Sequence, residues 1–239
     1  MNEILRIDHL TKTYGGKKAV DDVSLTIHAG DLFGFIGHNG AGKTTTLRSA
    51  VGILDFEQGS IMVDGHSLED EPLACKQVIA YLPDNPDLYD YLTGIQYLSF
   101  IADIFRVGKK EREERIADYS KRLELTANLG DLIGSYSHGM KQKLALISAF
   151  LHKPRLLVLD EPFVGLDPSA AFRLKEMMKE MCDQGGAIFF STHVLDVAEK
   201  LCNRIGIIKG GKLIACGSTE EVRGDSSLEH AFLEVLDND

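Results

Sequence analysis

A glycine-rich stretch near the N-terminus restricts the folds available to this chain more than any other feature. Residues 37–44 read Gly-His-Asn-Gly-Ala-Gly-Lys-Thr and fill every fixed position of the pattern G-x-x-x-x-G-K-[ST]. The apolar run from Leu32 to Ile36 comes directly before it and is typical of a buried strand, and residues 45–50 are typical of the start of a helix. A strand, a glycine loop and a helix in this order predict an α/β fold with a phosphate-binding loop.

Each part of this phosphate loop has a physical reason to hold phosphate. Glycines allow backbone conformations that other residues avoid, so that N–H groups can turn inward around an anion. The helix that follows adds roughly half a positive charge at its N-terminus. Lys43 adds a full charge near the outer phosphates, and the Thr44 hydroxyl is placed to bind a Mg²⁺ that bridges them. The predicted nucleotide-binding residues of this loop are Gly37, His38, Asn39, Gly40, Ala41, Gly42, Lys43, Thr44 and Thr45.

Length and composition are those of a globular protein. The 239 residues are enough for one large domain or two small ones, and 44% of them are hydrophobic. The net charge of −10 argues against broad contact with nucleic acid, and we expect no such partner. No apolar run is long enough to span a bilayer and the first residues lack a secretory pattern, so we expect a cytoplasmic protein. The cysteines show no C-x-x-C spacing, which favours reduced thiols.

A helical segment interrupts the α/β pattern of this chain. Helical periodicity covers residues 93–105, 109–125 and 141–151. Predicted strands cover residues 4–10, 19–27, 59–65, 156–160 and 187–190, with a crossover helix at 170–182 and a hairpin at 204–217. We therefore predict a single domain over residues 1–239. Residues 1–84 and 152–239 would form its core, and residues 85–151 an inserted helical lobe.

Two adjacent carboxylates lie at the end of the predicted strand at residues 156–160. Asp160 and Glu161 would lie at the carboxyl edge of the sheet, where open α/β folds bind ligands. In phosphoryl transfer, Asp160 is the candidate Mg²⁺ ligand, and Glu161 is the candidate to orient and deprotonate the attacking water. In the alternative interpretation, Asp-Glu-Pro merely ends a strand.

The segment at residues 135–143 identifies a family. It reads Ser-Tyr-Ser-His-Gly-Met-Lys-Gln-Lys and resembles the signature loop of the nucleotide-binding subunits of ABC transporters, most commonly Leu-Ser-Gly-Gly-Gln. Ser137 and Gly139 match that form, whereas Tyr136, His138 and Met140 depart from it. The variant Ser-x-Gly-Met-Lys is closer to drug, antibiotic-peptide and polysaccharide exporters than to small-solute importers. Taken alone, Ser137 before a helix is also an ordinary N-cap.

The resemblance covers essentially the whole chain and implies an ABC-type P-loop ATPase. Its mixed-sheet core would bind ATP and Mg²⁺, and the helical lobe would carry the signature segment, residues 135–143. By resemblance, Tyr14 stacks on adenine, Val20 adds an apolar contact on the ribose side, and His193 touches the γ-phosphate. Asp167 lies in the loop that contacts a second subunit, and it is also a natural N-cap for the helix that begins at Pro168.

One position departs from the family in a way that bears on metal binding. The family places Gln after the Tyr-Leu-Pro strand, but here Tyr81-Leu82-Pro83 is followed by Asp84. Asp84 is either a Mg²⁺ contact or a loop residue before Asn85-Pro86. The aromatic residues between Asp87 and Leu92 either pack in the core or contact a partner. The resemblance places the docking site of the membrane permease near Asp84 to Leu92.

The resemblance also implies a mechanism. Two ATPase subunits, identical or related, pack head to tail, and each signature loop closes the phosphate loop of the other. ATP-driven closure and hydrolytic opening then drive transport through a separate permease, with export favoured by the signature variant. The chain would lie peripherally on the inner face of the cell membrane. The alternatives are a soluble ABC-type ATPase acting on chromosomes or ribosomes, and a regulatory module that uses ATP only as a dimerisation switch.

Overall fold

The computed structural model describes residues 2–237 of the chain, with side chains as far as residue 233. The strands are β1 (Glu3–Tyr14), β2 (Lys17–His28), β3 (Leu32–Ile36), β4 (Gln58–Val63), β5 (His66–Ser67), β6 (Ile79–Leu82), β7 (Leu156–Asp160), β8 (Ala187–Thr192), β9 (Arg204–Lys209) and β10 (Lys212–Ser218). The α-helices are α1 (Lys43–Ala50), α2 (Pro72–Val78), α3 (Gly94–Ile104), α4 (Lys109–Arg122), α5 (His138–Leu151), α6 (Pro168–Asp183), α7 (Leu195–Leu201), α8 (Thr219–Arg223) and α9 (Leu228–Asp237). The fold is therefore α/β, as the sequence predicts.

A mixed sheet forms the centre of the molecule, with the order β10-β9-β3-β8-β7-β6. Its strands pair in parallel except for β10, which runs antiparallel to β9. All residues of β3, β7 and β8 are buried, which explains why their sequences are continuous apolar runs rather than alternating ones. The carboxyl ends of β3, β7 and β8 meet at one edge of this sheet.

A second, antiparallel sheet has the order β2-β1-β4-β5. Its buried side chains, such as Ile7 and Val23, form one hydrophobic cluster with Phe33 and Phe189 of the central sheet. The rings of Phe33 and Phe189 meet edge to face, with centroids 5.7 Å apart. Ala41 of the phosphate loop belongs to the same cluster, so the second sheet packs against this loop.

The helices α3, α4 and α5 lie between β6 and β7 in the chain and fall within the predicted lobe. Their buried residues, including Leu98 and Leu144, share a hydrophobic cluster with Leu32 and Leu159 of the central sheet. The predicted boundaries, between residues 84 and 85 and between residues 151 and 152, fall outside these helices, and the division into core and lobe stays a prediction. No helix within residues 2–237 is long and apolar enough to span a membrane.

Two helices begin earlier than their sequence patterns indicate. Helix α5 begins at His138 rather than near Lys141, because the Ser137 hydroxyl accepts a hydrogen bond from the N–H of Met140, at 3.3 Å, and caps the helix there. Helix α1 begins at Lys43 rather than Thr45, directly after Gly42. Lys43 and Thr44 therefore lie in the first turn of α1, where the helix dipole is positive.

Candidate nucleotide-binding and catalytic site

The phosphate loop joins the buried strand β3 to helix α1. Gly40 and Gly42 have φ angles of 79° and 111°, in the region that favours glycine. A Cβ atom on Gly42 would also lie 2.4 Å from the carbonyl oxygen of Ala19, so strand β2 approaches the loop closely. No described side chain caps the N-terminus of α1. Its first N–H groups are therefore free to bind an anion.

Lys43 is buried inside this loop with its charge directed to the centre of the site. Its Nζ donates hydrogen bonds to the carbonyl oxygens of Gly37, at 2.6 Å, and His38, at 3.3 Å. The same Nζ lies 3.6 Å from Oε1 of Glu161. The sequence-predicted phosphate ligand and the predicted catalytic carboxylate are thus neighbours.

Ser191, near the end of β8, contacts both carboxylate residues at the end of β7. Its hydroxyl donates to Oδ1 of Asp160, at 2.5 Å, and accepts a hydrogen bond from the backbone N–H of Glu161, at 3.0 Å. Glu161 has a φ of 49°, an uncommon value for a residue other than glycine. No local pattern indicates a role for Ser191, because its two partners are far away in the chain and a serine in a strand is common.

His193 completes the cluster from the loop after β8. Its Nδ1 lies 3.0 Å from Oε1 of Glu161, the same oxygen that faces Lys43. Helix α1, the end of β7 and the end of β8 therefore bring Lys43, Glu161 and His193 together. A carboxylate between two basic groups is held in place and can accept a proton from a water beside it.

The oxygen ligands at this edge of the sheet fit a Mg²⁺ ion. Asp160 is only 1% exposed, and its Oδ2 has no hydrogen-bond partner among the described residues. A buried carboxylate oxygen without a partner is unfavourable, so a cation there would stabilise it. Thr44 is half-buried in the first turn of α1. Carboxylate and hydroxyl oxygens, together with phosphate oxygens, are ligands that Mg²⁺ prefers.

Asp84 lies just after β6 and is exposed. Its Oδ1 accepts a hydrogen bond from the backbone N–H of Asn85, at 2.8 Å, which is the local role expected of a loop aspartate. Tyr81, and then Asp160 and Asp84, also raise the pKa of Arg48 on α1 above its usual value. The charges of Asp84 and Asp160 thus act on the same side of α1. The metal contact of Asp84 stays a prediction.

The two residues predicted for the base and the ribose differ in exposure. Tyr14, the last residue of β1, is half-exposed and can present its ring to a ligand. Val20 is fully buried and belongs to the hydrophobic cluster between the two sheets. Val20 thus packs in the core, and its contact with the ribose stays a prediction.

The β9–β10 turn joins strand β2 to the phosphate loop. The N–H of Gly211 donates to the carbonyl of Ala41, at 2.9 Å, and the carbonyl of Gly211 accepts from the N–H of Asp21, at 2.8 Å. Strand β2, the phosphate loop and this turn are therefore joined directly. The sequence predicts a turn at Gly210-Gly211 but not its contact with the loop.

The signature segment packs against the loop that follows Glu161. Asp167 caps α6 by accepting from the N–H of Ala170, at 2.8 Å, and its other oxygen lies 2.7 Å from Nζ of Lys143 on α5. Lys143 holds the pKa of Asp167 below its usual value. Gly139 lies against the same loop, since a Cβ there would be 3.0 Å from the carbonyl of Gly165. No hydrogen bond or ion pair among residues 2–233 joins Ser137 or Gly139 to the phosphate loop.

The segment at residues 84–92, which we call the docking segment, is divided between core and surface. Leu88 is buried, whereas Tyr91 is 74% exposed. The ring of Tyr89 lies 5.8 Å from that of Tyr91 and 5.9 Å from that of Phe100, between centroids. Asp90 ties the segment to the signature helix α5 through Nζ of Lys141, at 2.7 Å. Tyr89 and Tyr91 are therefore exposed rather than packed in the core, and their contact with a partner stays a prediction.

Comparison with known proteins agrees with this geometry. The sequence model of the family described as ABC transporter matches residues 20–164. The linearmycin resistance ATP-binding protein LnrL of Bacillus subtilis is 34% identical over 92% of this chain and 70% of its own length. A solved structure described as the ATP binding subunit of an ABC transporter has a TM-score of 0.94 and 33% identity, covering 98% of this chain and 99% of the other. CbiO1 from Clostridium perfringens, described as part of the ABC transporter complex cbiONQ, has a TM-score of 0.79 and 26% identity, covering 93% and 91%.

Proposed function

Because this chain belongs to the ABC transporter family, as an ATP-binding subunit with the P-loop NTPase fold and ATPase activity, we propose that it powers export through a separate membrane permease. Members of this family bind ATP and Mg²⁺. The observation that carries the proposal is the convergence of Lys43, Glu161 and His193 beside the unpartnered oxygen of Asp160. That cluster has the parts needed for hydrolysis and not only for binding.

Each residue of the cluster has a proposed role in hydrolysis. The ammonium of Lys43 exchanges its carbonyl partners for phosphate oxygens, and the N-terminus of α1 binds the same anion. Glu161 orients the attacking water and accepts its proton, and His193 contacts the γ-phosphate while it holds the Glu161 carboxylate. Asp160 and Thr44 hold Mg²⁺, which when bound neutralises charge that develops on the phosphates.

The position of the signature segment supports a head-to-tail dimer. Ser137 and Gly139 lie beside the loop that carries Asp167, and no hydrogen bond or ion pair among residues 2–233 joins them to the phosphate loop of their own subunit. We propose that they close the phosphate loop of a second ATPase subunit, and that Asp167 lies at the interface. Groups supplied across an interface to a phosphoryl transition state can accelerate the reaction by about 10³- to 10⁵-fold, so a monomer should hydrolyse ATP slowly.

Export and the permease contact have separate support. The signature variant Ser-x-Gly-Met-Lys resembles that of exporters, and the similar LnrL is described as a resistance protein. The exposed tyrosines of the docking segment form a surface for a permease, since exposed aromatic clusters are typical of protein interfaces. Asp90 would transmit that contact to the signature helix through Lys141. Such a contact would hold the chain on the inner face of the cell membrane.

The test of the proposed function is the substitution Glu161→Gln, which removes the base and keeps the shape of the side chain. We expect ATP to bind with unchanged affinity, turnover to fall by about 10²- to 10⁴-fold, and a dimer to accumulate that forms only with ATP. Turnover is measured by phosphate release and the dimer by size-exclusion chromatography with light scattering. Glu114→Gln, on the exposed face of α4, is the matched control and should behave as the native chain. Near-normal turnover of Glu161→Gln would refute the role of Glu161.

Two further measurements separate this function from its alternatives. A regulatory module that only binds ATP would show no basal phosphate release from the native chain. An ATPase that acts on chromosomes or ribosomes would copurify with nucleic acid or ribosomal particles rather than with an integral membrane protein. Recovery of a permease with the native chain from detergent-solubilised membranes would support transport.

A further inference from the structure

A lysine lies against the ring of Tyr14. Lys12 and Tyr14 lie two residues apart at the end of β1, where the pairing with β2 shifts register. Nζ of Lys12 lies 5.4 Å from the centroid of the Tyr14 ring, within the range of a cation–π contact. The Lys12 side chain is only 14% exposed, whereas Tyr14 is 50% exposed. The cation thus covers part of the ring and leaves half of the side chain accessible.

Glu57, in the loop before β4, holds this lysine in place. Its Oε1 lies 3.0 Å from Nζ of Lys12, and its Oε2 accepts a hydrogen bond from the backbone N–H of Thr13, at 2.8 Å. Its own N–H donates to the carbonyl of Thr11, at 3.0 Å. Lys12, and also the N–H of Thr13, hold the pKa of the Glu57 carboxyl below its usual range. Glu57 therefore contacts three successive residues of β1 just before Tyr14.

Tyr14 needs such a support because of its position. It is the last residue of β1, and it is followed by Gly15 and Gly16, both with positive φ angles. A side chain at a strand end beside a glycine turn has few neighbours to fix its rotamer. Ordering it when a ligand binds would cost affinity, and a contact that orders it beforehand reduces that cost.

We propose that Lys12 and Glu57 are positioning residues for the nucleotide base: Glu57 holds Lys12, and Lys12 fixes the ring of Tyr14 with one side free to stack on adenine. This inference rests on the proposed function, because it takes Tyr14 as the base-stacking residue. Lys12 and Glu57 act through Tyr14 and do not touch the nucleotide. Their contribution to nucleotide affinity therefore depends on the presence of both the base and the tyrosine ring.

The test compares a ligand with a base and one without it. Isothermal calorimetry on the intact chain measures the dissociation constants of ADP and, by displacement, of inorganic pyrophosphate. Lys12→Met should weaken ADP binding by about two- to fivefold, the size of an exposed cation–π contact, and leave pyrophosphate binding unchanged. Lys12→Arg should restore most of the affinity for ADP. Lys110→Met, on the exposed face of α4 and paired with Glu114, is the matched control and should change neither constant.

A second set of variants tests whether Lys12 acts through the ring. In a Tyr14→Ala background, Lys12→Met should cause no further loss of ADP affinity. Glu57→Gln keeps an acceptor for the N–H of Thr13 and removes the negative charge, so it should also weaken ADP binding. It replaces Lys12→Met in the test if that variant does not fold. An equal loss of ADP and pyrophosphate affinity, or a loss that persists without Tyr14, would overturn the inference. Failure of the native chain to bind ADP at all would overturn the proposed function together with it.

Discussion

Lowering the pH should destabilise this protein through one histidine at the junction of α5 and the central sheet. His152 stacks on Phe105, with ring centroids 3.6 Å apart and planes 9° from parallel. Its Nε2 donates a hydrogen bond to the carbonyl of Ile79, at 3.2 Å, and its Nδ1 is buried without a partner among the described residues. Protonation would place a second N–H at Nδ1, where the structure offers no acceptor.

The size of the effect follows from the pKa. Burial, and to a smaller extent the charge of Arg115, lower the pKa of His152 from 6.5 to about 4. The folded state favours the neutral form of His152. The contribution of this group to the free energy of unfolding is therefore complete above its unfolded pKa of 6.5 and is lost as the pH falls towards 4. Between pH 7 and pH 5 the loss is about 2 kcal/mol, which lowers the melting temperature of a chain of this size by roughly 4 to 8 °C.

The assay compares the native chain with His152→Phe, which keeps an aromatic ring against Phe105 but does not titrate. Urea unfolding should show that, between pH 7 and pH 5, the free energy of unfolding of the native chain falls by about 2 kcal/mol more than that of the variant. Loss of the hydrogen bond to Ile79 should make the variant about 1 kcal/mol less stable than the native chain at pH 7. At pH 5 the order should be reversed, with the variant about 1 kcal/mol more stable than the native chain. Equal pH dependence in the two proteins, or a His152 pKa near 6.5 in an NMR titration, would refute the reasoning.

Two predictions concern the other parts of the site. Ser191→Ala removes the hydrogen-bond donor to Asp160 and the acceptor for the N–H of Glu161. Because hydrogen bonds to charged groups are worth about 1.5 to 3 kcal/mol, ATP turnover should fall by about 10- to 100-fold and the Mg²⁺ requirement should rise. An unchanged Mg²⁺ titration of phosphate release would contradict this prediction. The side chain of Tyr91 is 74% exposed, so Tyr91→Ala should change the free energy of unfolding by less than about 0.5 kcal/mol and leave basal turnover unchanged. The same substitution should abolish copurification with the permease. Phe172→Ala, 57% exposed on α6, is the control, and a permease retained by Tyr91→Ala would exclude the docking segment.

Local sequence signals were sufficient for the central elements. Strands β3, β7 and β8 are buried on both faces, so each is a continuous apolar run that any parallel sheet requires. The phosphate loop was recognisable because phosphate binding demands glycines, a lysine and a hydroxyl at fixed spacing. Val20 shows what residue type and spacing leave open. A valine in a strand suits the core as well as a ligand contact, and only the packing of the two sheets shows that its side chain is buried in the core.

The residues that sequence reasoning missed share one property: each holds a predicted residue, or a neighbour of one, in place. Ser191 orients Asp160, Lys143 pairs with Asp167, and Glu57 fixes Lys12. Their partners lie 31, 24 and 45 residues away in the sequence, so no local pattern can pair them. The chemistry of phosphate transfer also dictates the type of a ligand, whereas an orienting hydrogen bond can come from many side chains. Reactive residues can therefore be predicted from type and spacing, but the contacts that position them become visible only when the fold brings distant segments together.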